Sequence, residues 1–220
     1  MTSCFCRTAM DDATQALIAG IAADATPVRP INRMRGLAMV GLAFLLTEIV
    51  VLFALGARQG LMSGHVSVFF VVVNGLLLIL GLSCIAAVLT MASPQVGANH
   101  DGPKWAMAMT GVLPLAGLLA ATGAGVNGHL HVEGAHCMYL GLAASLLVGA
   151  ALFVWLRRGA PVSPRLAGLY LGAGAGALGS VANGMACSDE SIAHLGIWHV
   201  ASVVIAALIG RYGVSRWLRW

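Results

Sequence analysis

The stretch that decides the fold class runs from residue 67 to residue 91 and reads SVFFVVVNGLLLILGLSCIAAVLTM. It contains no Asp, Glu, Lys, Arg or His. An α-helix rises about 1.5 Å per residue, so about 20 apolar residues cross the roughly 30 Å hydrocarbon core of a bilayer. Because lipid offers no hydrogen-bond partner to the backbone, this stretch is predicted to be a transmembrane helix.

The composition extends this interpretation to most of the chain. The 220 residues are 59% hydrophobic and 9% charged, whereas a soluble domain carries roughly 25% charged residues. We therefore predict an all-α integral membrane protein with six transmembrane helices. A polar tail, residues 1–36, precedes a transmembrane domain, residues 37–220. The other five apolar runs span 37–57, 105–124, 138–156, 166–186 and 197–214.

The basic residues predict the orientation of the chain. Cytoplasmic loops of membrane proteins carry an excess of Lys and Arg. Both termini are therefore predicted to be cytoplasmic, and loops 58–66, 125–137 and 187–196 to face outward. Eleven of the twelve basic residues then lie on the cytoplasmic side, namely Arg7, Arg29, Arg33, Arg35, Lys104, Arg157, Arg158, Arg165, Arg211, Arg216 and Arg219, against Arg58 alone on the other.

The tail contains one segment with a helical pattern. Asp11 and Asp12 favour a helix start, and an apolar stripe of Leu17, Ile18 and Ile21 follows. So short a helix is not stable alone in water. It is interpreted as a segment that folds against a partner; a leader lying on the membrane lipid surface is the alternative.

Three features inside the apolar runs predict local structure. Gly168, Gly172 and Gly176 repeat the small-xxx-small spacing that lets helices approach closely, within the bundle or between two copies. Pro114 is predicted to kink the third helix. Glu48 is predicted to hydrogen-bond to Asn74 at a similar depth, because an isolated carboxyl group in a bilayer is costly; ion or proton handling by Glu48 is the alternative.

Sulfur and imidazole groups gather in or beside the predicted outward loops. Imidazole and thiolate bind zinc and copper, and thioether suits Cu(I). No closed zinc signature is present, and Cys137 and Cys187 could instead form a disulfide in an oxidising compartment. The candidate metal ligands are Cys137, Cys187, His129, His131, His136, Met138, His194 and His199.

The sequence contains no nucleophile–base pair, phosphate loop or dinucleotide fingerprint. We therefore expect neither an enzyme, nor direct nucleic-acid binding, nor an obligatory cofactor. Two alternatives remain, a haem- or metal-binding electron-transfer protein and a metal transporter. The first lacks a mid-span histidine to pair with His199, and the second is weakened by the scarcity of charge within the spans.

Several segments together resemble a known family, the NrsF-like negative regulators of extracytoplasmic-function sigma factors. Residues 155–165 read WLRRGAPVSPR, residues 187–191 read CSDES, and residues 216–220 read RWLRW. The Trp198–His199 pair and the leader, with Leu17, Ile18 and Ile21 followed by PVRP at 27–30, are also similar to that family.

The resemblance implies a six-span protein of the bacterial inner membrane whose leader holds a sigma factor inactive. Leu17, Ile18, Ile21 and Val28 would then contact the sigma factor. It also implies that the cysteines matching Cys137 and Cys187 take part in sensing. The histidines of the 129–136 loop suggest copper or zinc as the sensed ion, with an oxidant as the alternative stimulus.

Overall fold

The computed structural model describes residues 12–24, 31–64, 66–94, 99–123 and 132–218, and the regular structure within those ranges is helical. The chain divides into two units, residues 1–30 and residues 31–220. The first unit contains helix α1, Asp12–Asp24. Its apolar stripe is exposed, with Leu17 at 63%, Ile18 at 49% and Ile21 at 64%. The predicted tail helix is therefore present, and its apolar side chains are not covered within its own unit.

The second unit is a bundle of helices. Asn32 accepts a hydrogen bond from Met34 N at 3.0 Å and so caps the first long helix. Ser67 caps another by accepting from Phe70 N at 3.1 Å. The helices are α2 Arg33–Leu55, α3 Gln59–Ser63, α4 Val68–Met91, α5 Gly102–Thr110, α6 Val112–Gly123, α7 Val132–Arg157, α8 Pro164–Ala186, α9 Ile192–His194 and α10 Val200–Tyr212. A π-helical turn, Leu195–His199, joins α9 to α10, and a 3₁₀ turn, Val214–Leu218, follows α10.

Within the part of the chain that the structure describes, five helical segments are long and apolar enough to cross a membrane. The sixth predicted run, 166–186, forms α8. This helix is long enough to cross a membrane, but its many glycines lower its mean hydropathy, so hydropathy does not mark it as a span. Five spans are thus supported by length and hydropathy, and the sixth stays a prediction. The five segments are Arg33–Leu55, Val68–Met91, Gly102–Thr122, Gly134–Arg157 and Ile192–Leu218.

Helix α8 lies at the centre of the bundle, where α2, α4, α7 and α10 all pack against it. A Cβ atom added at Gly172 would clash with the carbonyl oxygen of Ala206, and one at Gly168 with that of Gly210. The small residues of α8 therefore allow α10 to approach backbone to backbone. Of the two interpretations of the glycine spacing, packing within the bundle accounts for these contacts.

Two of the sequence predictions concern single residues within the apolar runs. Pro114 has no N–H to donate to the carbonyl of Thr110, and the helical assignment is interrupted at Gly111, three residues before it. The predicted kink itself stays a prediction. The predicted hydrogen bond between Glu48 and Asn74 is wrong. Asn74 Nδ2 donates to Phe70 O of its own helix at 2.9 Å, and its Oδ1 has no partner among the described residues.

Two helix starts differ from the sequence prediction by five residues or more. Helix α7 begins at Val132, six residues before the predicted start, and the last helical segment begins at Ile192 rather than at residue 197. His136, Cys137 and His194 were predicted to lie in loops, and this is wrong because each belongs to a helix. Their side chains are consequently held by helical backbone rather than by a loop.

Candidate metal or redox centre

The candidate site forms where α7 begins and α8 ends. Gly179 of α8 faces the backbone of Gly141 and Ser145 on α7, so the two helices are in close contact one to two turns from the cysteines. Asn183 of α8 then donates a hydrogen bond from Nδ2 to the carbonyl oxygen of Cys137 at 3.1 Å. This hydrogen bond places Cys137 of α7 beside the last turn of α8.

Cys187 is the residue that ends α8. Its N–H still donates to Asn183 O at 3.0 Å, but its backbone is extended, with φ −73° and ψ 126°. The chain therefore leaves the helix axis at this residue and turns towards α7 and α9. The sulfur atoms of Cys137 and Cys187 lie 3.8 Å apart.

His194 completes a compact group of three. Its Nε2 lies 3.4 Å from Cys187 Sγ, and the ligand atoms of Cys137, Cys187 and His194 all lie within 4.8 Å of one another. Sulfurs at about 2.3 Å from a tetrahedral zinc ion are about 3.8 Å apart, and a sulfur and a nitrogen ligand about 3.6 Å apart. The 3.8 Å between the two sulfurs and the 3.4 Å between Cys187 Sγ and His194 Nε2 are close to these values.

Polar neighbours orient the His194 ring. Asp189 Oδ2 lies 3.3 Å from His194 Nδ1, so the ring presents Nε2 to Cys187. Asp189 Oδ1 accepts from Ser191 N at 2.8 Å, and Ser191 Oγ caps α9 by accepting from His194 N at 3.2 Å. A carboxylate on the far nitrogen of a ligating imidazole holds its tautomer and raises its basicity.

The buried side chain of His199 packs beside this group. It is 1% exposed, and neither ring nitrogen has a hydrogen-bond partner among the described residues. Its ring meets that of His194 edge to face, with centroids 5.7 Å apart. The intervening π-helical turn brings residues five apart onto one side, and such turns occur frequently at functional sites.

The surroundings of Cys187 raise the pKa of its thiol. Its hydrogen bond with Cys137 and its burial raise the pKa of Cys187, while the imidazoles of His194 and His199 oppose this rise. A metal ion that bound here would release the proton, because the thiolate is the ligand. Among the described residues, a cavity of about 540 Å³ borders the group and is lined by His136, Asn183, Ser188 and Asp189 as well as by the two cysteines.

Comparison with known proteins identifies the family. Residues 21–220 match the family described as negative regulator of sigma F. The chain belongs to this family. The anti-sigma-F factor NrsF of Caulobacter vibrioides (strain NA1000 / CB15N) is 31% identical, in an alignment that covers 66% of this chain and 88% of that relative. No solved structure matches. The resemblance drawn from the sequence is thus confirmed, and the chain is a member of a regulatory family of anti-sigma factors.

The residues predicted for the site have different places in the structure. Cys137, Cys187 and His194 come together, and His199 packs against them. His136 is exposed and lines the cavity without joining the three. Met138 is half-buried on α7, about 100° around the helix from Cys137. The remaining predicted residues, His129, His131 and the tail residue Val28, lie outside the described residues.

Four functional candidates escaped the sequence analysis. Asn183 and Asp189 position Cys137 and His194, respectively. Arg58 and Glu190 form an ion pair beside the site. One signal in the sequence marks Arg58, because it is the single basic residue on the predicted outward side. A charge that departs from the positive-inside bias needs a compensating partner, and the Asp189–Glu190 dipeptide is near Cys187 in the chain.

Proposed function

We propose that this chain is a six-span anti-sigma factor of the bacterial inner membrane, with both termini in the cytoplasm. Its tail sequesters an extracytoplasmic-function sigma factor and releases it when the cluster on the outer face binds a transition metal ion or is oxidised. The observation that carries the sensing part of the proposal is the group of Cys137, Cys187 and His194 within 4.8 Å. Family membership supports the sigma-factor part.

The exposed stripe of α1 supports the tail as the binding segment. Leu17, Ile18 and Ile21 are each about half exposed or more. Full burial of one such side chain contributes about 1.5–3 kcal/mol. Burial of all three against a groove of the sigma factor would therefore supply much of the roughly 8 kcal/mol that micromolar binding requires. An amphipathic helix in an apolar groove is a common mode of peptide recognition.

Two chemical events at the cluster could act as the signal. In the first, zinc or copper binds the two sulfurs and His194 with release of the thiol protons, and His199 is available as a fourth ligand. In the second, a peroxide oxidises the cysteines. A sulfur–sulfur bond forms, the two S–H bonds break, and the two electrons and two protons convert hydrogen peroxide into two molecules of water. A chelator reverses the first event, and a thiol reductant reverses the second.

Sigma-factor binding is tested by co-purification from membranes of the source organism. The full-length protein is solubilised and captured, and the sigma factors that accompany it are identified by mass spectrometry. The double variant Leu17→Glu, Ile21→Glu should lose the partner, because it places two charges in the apolar contact. Ala23→Glu is the matched control and should retain the partner, because Ala23 lies about 120° or more around α1 from each of the three apolar residues. Equal capture by both variants would refute the tail as the binding segment.

Sensing is tested separately in the purified protein and in cells. Replacement of one ligand, in Cys187→Ser, should lower the affinity for zinc or Cu(I) by at least about 100-fold. Cys84→Ala is the control, because Cys84 is buried in α4 and outside the cluster. In cells, a reporter driven by the cognate sigma factor should stop responding to metal or oxidant in Cys187→Ser. An unchanged response would refute the cluster as the sensor.

A further inference from the structure

The loop that carries Cys187 is held by an ion pair outside the cluster. Arg58, in the connection between α2 and α3, forms a salt bridge through Nη2 to Glu190 Oε1. The other carboxylate oxygen, Oε2, accepts a hydrogen bond from Ser67 N, the N-cap of α4, at 3.0 Å. Glu190 lies three residues after Cys187, so one carboxylate ties this loop to the ends of two other helices.

Arg58 is itself fixed from three directions. Its backbone N–H donates to Met185 O, near the end of α8, at 3.1 Å. Its guanidinium lies over the ring of Phe70 on α4, with Cζ 4.3 Å from the centroid. Its side chain is 5% exposed, whereas that of Glu190 is 28% exposed. The pair thus joins α2, α4 and the end of α8 at the end of the bundle that holds the cysteines.

The buried charge of Arg58 is compensated by Glu190. Nε and Nη1 of Arg58 make no hydrogen bond among the described residues, and no other salt bridge of Arg58 is present there. Removal of one partner from a buried ion pair leaves an uncompensated charge, which is far more costly than removal of an exposed pair. The loop can therefore move away from α2 and α4 only if Arg58 also moves or finds water.

We propose that the Arg58–Glu190 pair holds residues 187–191 in the position that keeps Cys187 beside Cys137, and that it couples a change at Cys187 to helices α2 and α4. Helix α2 follows the tail directly in the chain, so it is the element through which such a change would reach the segment that binds the sigma factor. The coupling part rests on the proposed function. The positioning part concerns the transmembrane domain alone.

The test of positioning measures the rate at which a maleimide reagent alkylates Cys187 in the purified, reduced, metal-free full-length protein. Mass spectrometry of the peptide that contains Cys187 separates this reaction from that of the other cysteines. Cys187 is 7% exposed, so the reagent reacts when the loop opens. Glu190→Gln should accelerate alkylation by about tenfold or more. Asp101→Asn, which breaks the exposed Asp101–Lys104 pair, is the matched control and should leave the rate within about twofold of the parent.

Two further variants keep the result interpretable. Glu190→Asp retains the charge on a shorter side chain and should give a rate between those of the parent and Glu190→Gln. The double variant Arg58→Gln, Glu190→Gln should react no faster than the faster single variant, because both changes remove one interaction. Should Arg58→Gln fail to fold, Glu190→Gln and Glu190→Asp still carry the test. A parental rate in Glu190→Gln, or effects that simply multiply in the double variant, would overturn the proposal.

The test of coupling uses the sigma-factor reporter in unstressed cells. Glu190→Gln should change the basal output in the same direction as the stimulus, while Asp101→Asn leaves it unchanged. If Glu190→Gln accelerates alkylation of Cys187 but leaves the reporter output unaltered, the coupling is overturned and the positioning role is retained. Because the alkylation assay contains neither sigma factor nor metal, its outcome is independent of the proposed function, which fails instead if Cys187→Ser leaves the reporter response intact.

Discussion

Helices α2 and α8 have the same length, 23 residues, and opposite environments. Helix α2 is among the most apolar segments of the chain. Even so, only 22% of its most apolar stretch is buried inside the protein, and the side chain of Phe53 is 94% exposed. Helix α8 contains six glycines and does not reach the hydropathy of a span, yet 17 of its residues are buried. Apolar side chains here mark the surface that faces lipid, and small residues mark the surface that faces other helices.

The physical reason is that lipid removes the usual advantage of burying large side chains. In water, leucine is driven into a core, whereas in a bilayer it is equally well solvated by lipid tails, and helices associate through close packing and hydrogen bonds. Small residues permit that close approach. The helix that organises the bundle is therefore the one with the fewest large side chains, and the cysteine site forms at its end.

The largest expected effect comes from filling the contact between α8 and α10. Gly172→Leu places a side chain where even a Cβ atom would clash with Ala206 O, and should destabilise the bundle by more than about 4 kcal/mol. Gly41→Leu on α2 is the matched control, because no atom lies within 4 Å of a Cβ atom at that position. Folded yield and thermal unfolding in detergent measure the difference. Equal loss in both variants would contradict the central position of α8.

The second expected effect concerns a hydrogen bond between helices. Asn183 of α8 is 2% exposed and donates to Cys137 O of α7. Asn183→Ala should cost about 1–3 kcal/mol and should slow formation of the Cys137–Cys187 disulfide in oxidant. The control is Thr47→Ala on α2, whose hydroxyl donates to Ala43 O within its own helix at 2.9 Å. Disulfide formation as fast in Asn183→Ala as in Thr47→Ala would argue against the role given to Asn183.

A smaller effect is expected from a shared hydroxyl contact. Ser180 Oγ of α8 donates to His199 O at 2.9 Å, and Ser202 Oγ donates to the same carbonyl at 2.7 Å. Because Ser202 can still satisfy this carbonyl, Ser180→Ala should cost about 0.5–1.5 kcal/mol. The free energy of unfolding, measured in detergent with increasing denaturant, tests this value. A loss above that of Asn183→Ala would show that the two hydroxyls act as one unit.

The smallest effect is expected on the exposed face of α2. Phe53→Leu exchanges one apolar side chain for another at a position that contacts little of the protein. The change in the free energy of unfolding should stay within about 0.5 kcal/mol. A larger loss in lipid nanodiscs would reveal a protein partner for this face rather than lipid. Phe70→Leu, at a residue that is 4% exposed beneath Arg58, provides the contrasting measurement.

Part of the site could be predicted from residue type and spacing. Cys137 and Cys187 stand at the ends of neighbouring apolar runs, and His194 follows Cys187 at loop distance. Met138 stays a prediction: it was included for its chemistry, and its place on α7 is about 100° around the helix from Cys137. The role of Asp189 depends on the conformation of the short loop between α8 and α9, which brings its carboxylate to His194. No spacing rule could reveal the role of Asn183, because it depends on which helices are in contact. The pairing of Glu48 with Asn74 failed for the same reason, since equal depth does not make two helices turn those side chains towards each other.

The helices, the membrane class and the family follow from local properties of the chain: runs of apolar residues, their lengths, and short motifs that survive in any context. The position of α8, the 3.8 Å approach of the two sulfurs and the Arg58–Glu190 pair depend on residues far apart in the chain, which meet because glycines let backbones touch. Close packing is a property of pairs of surfaces, so it appears only once the helices are assembled.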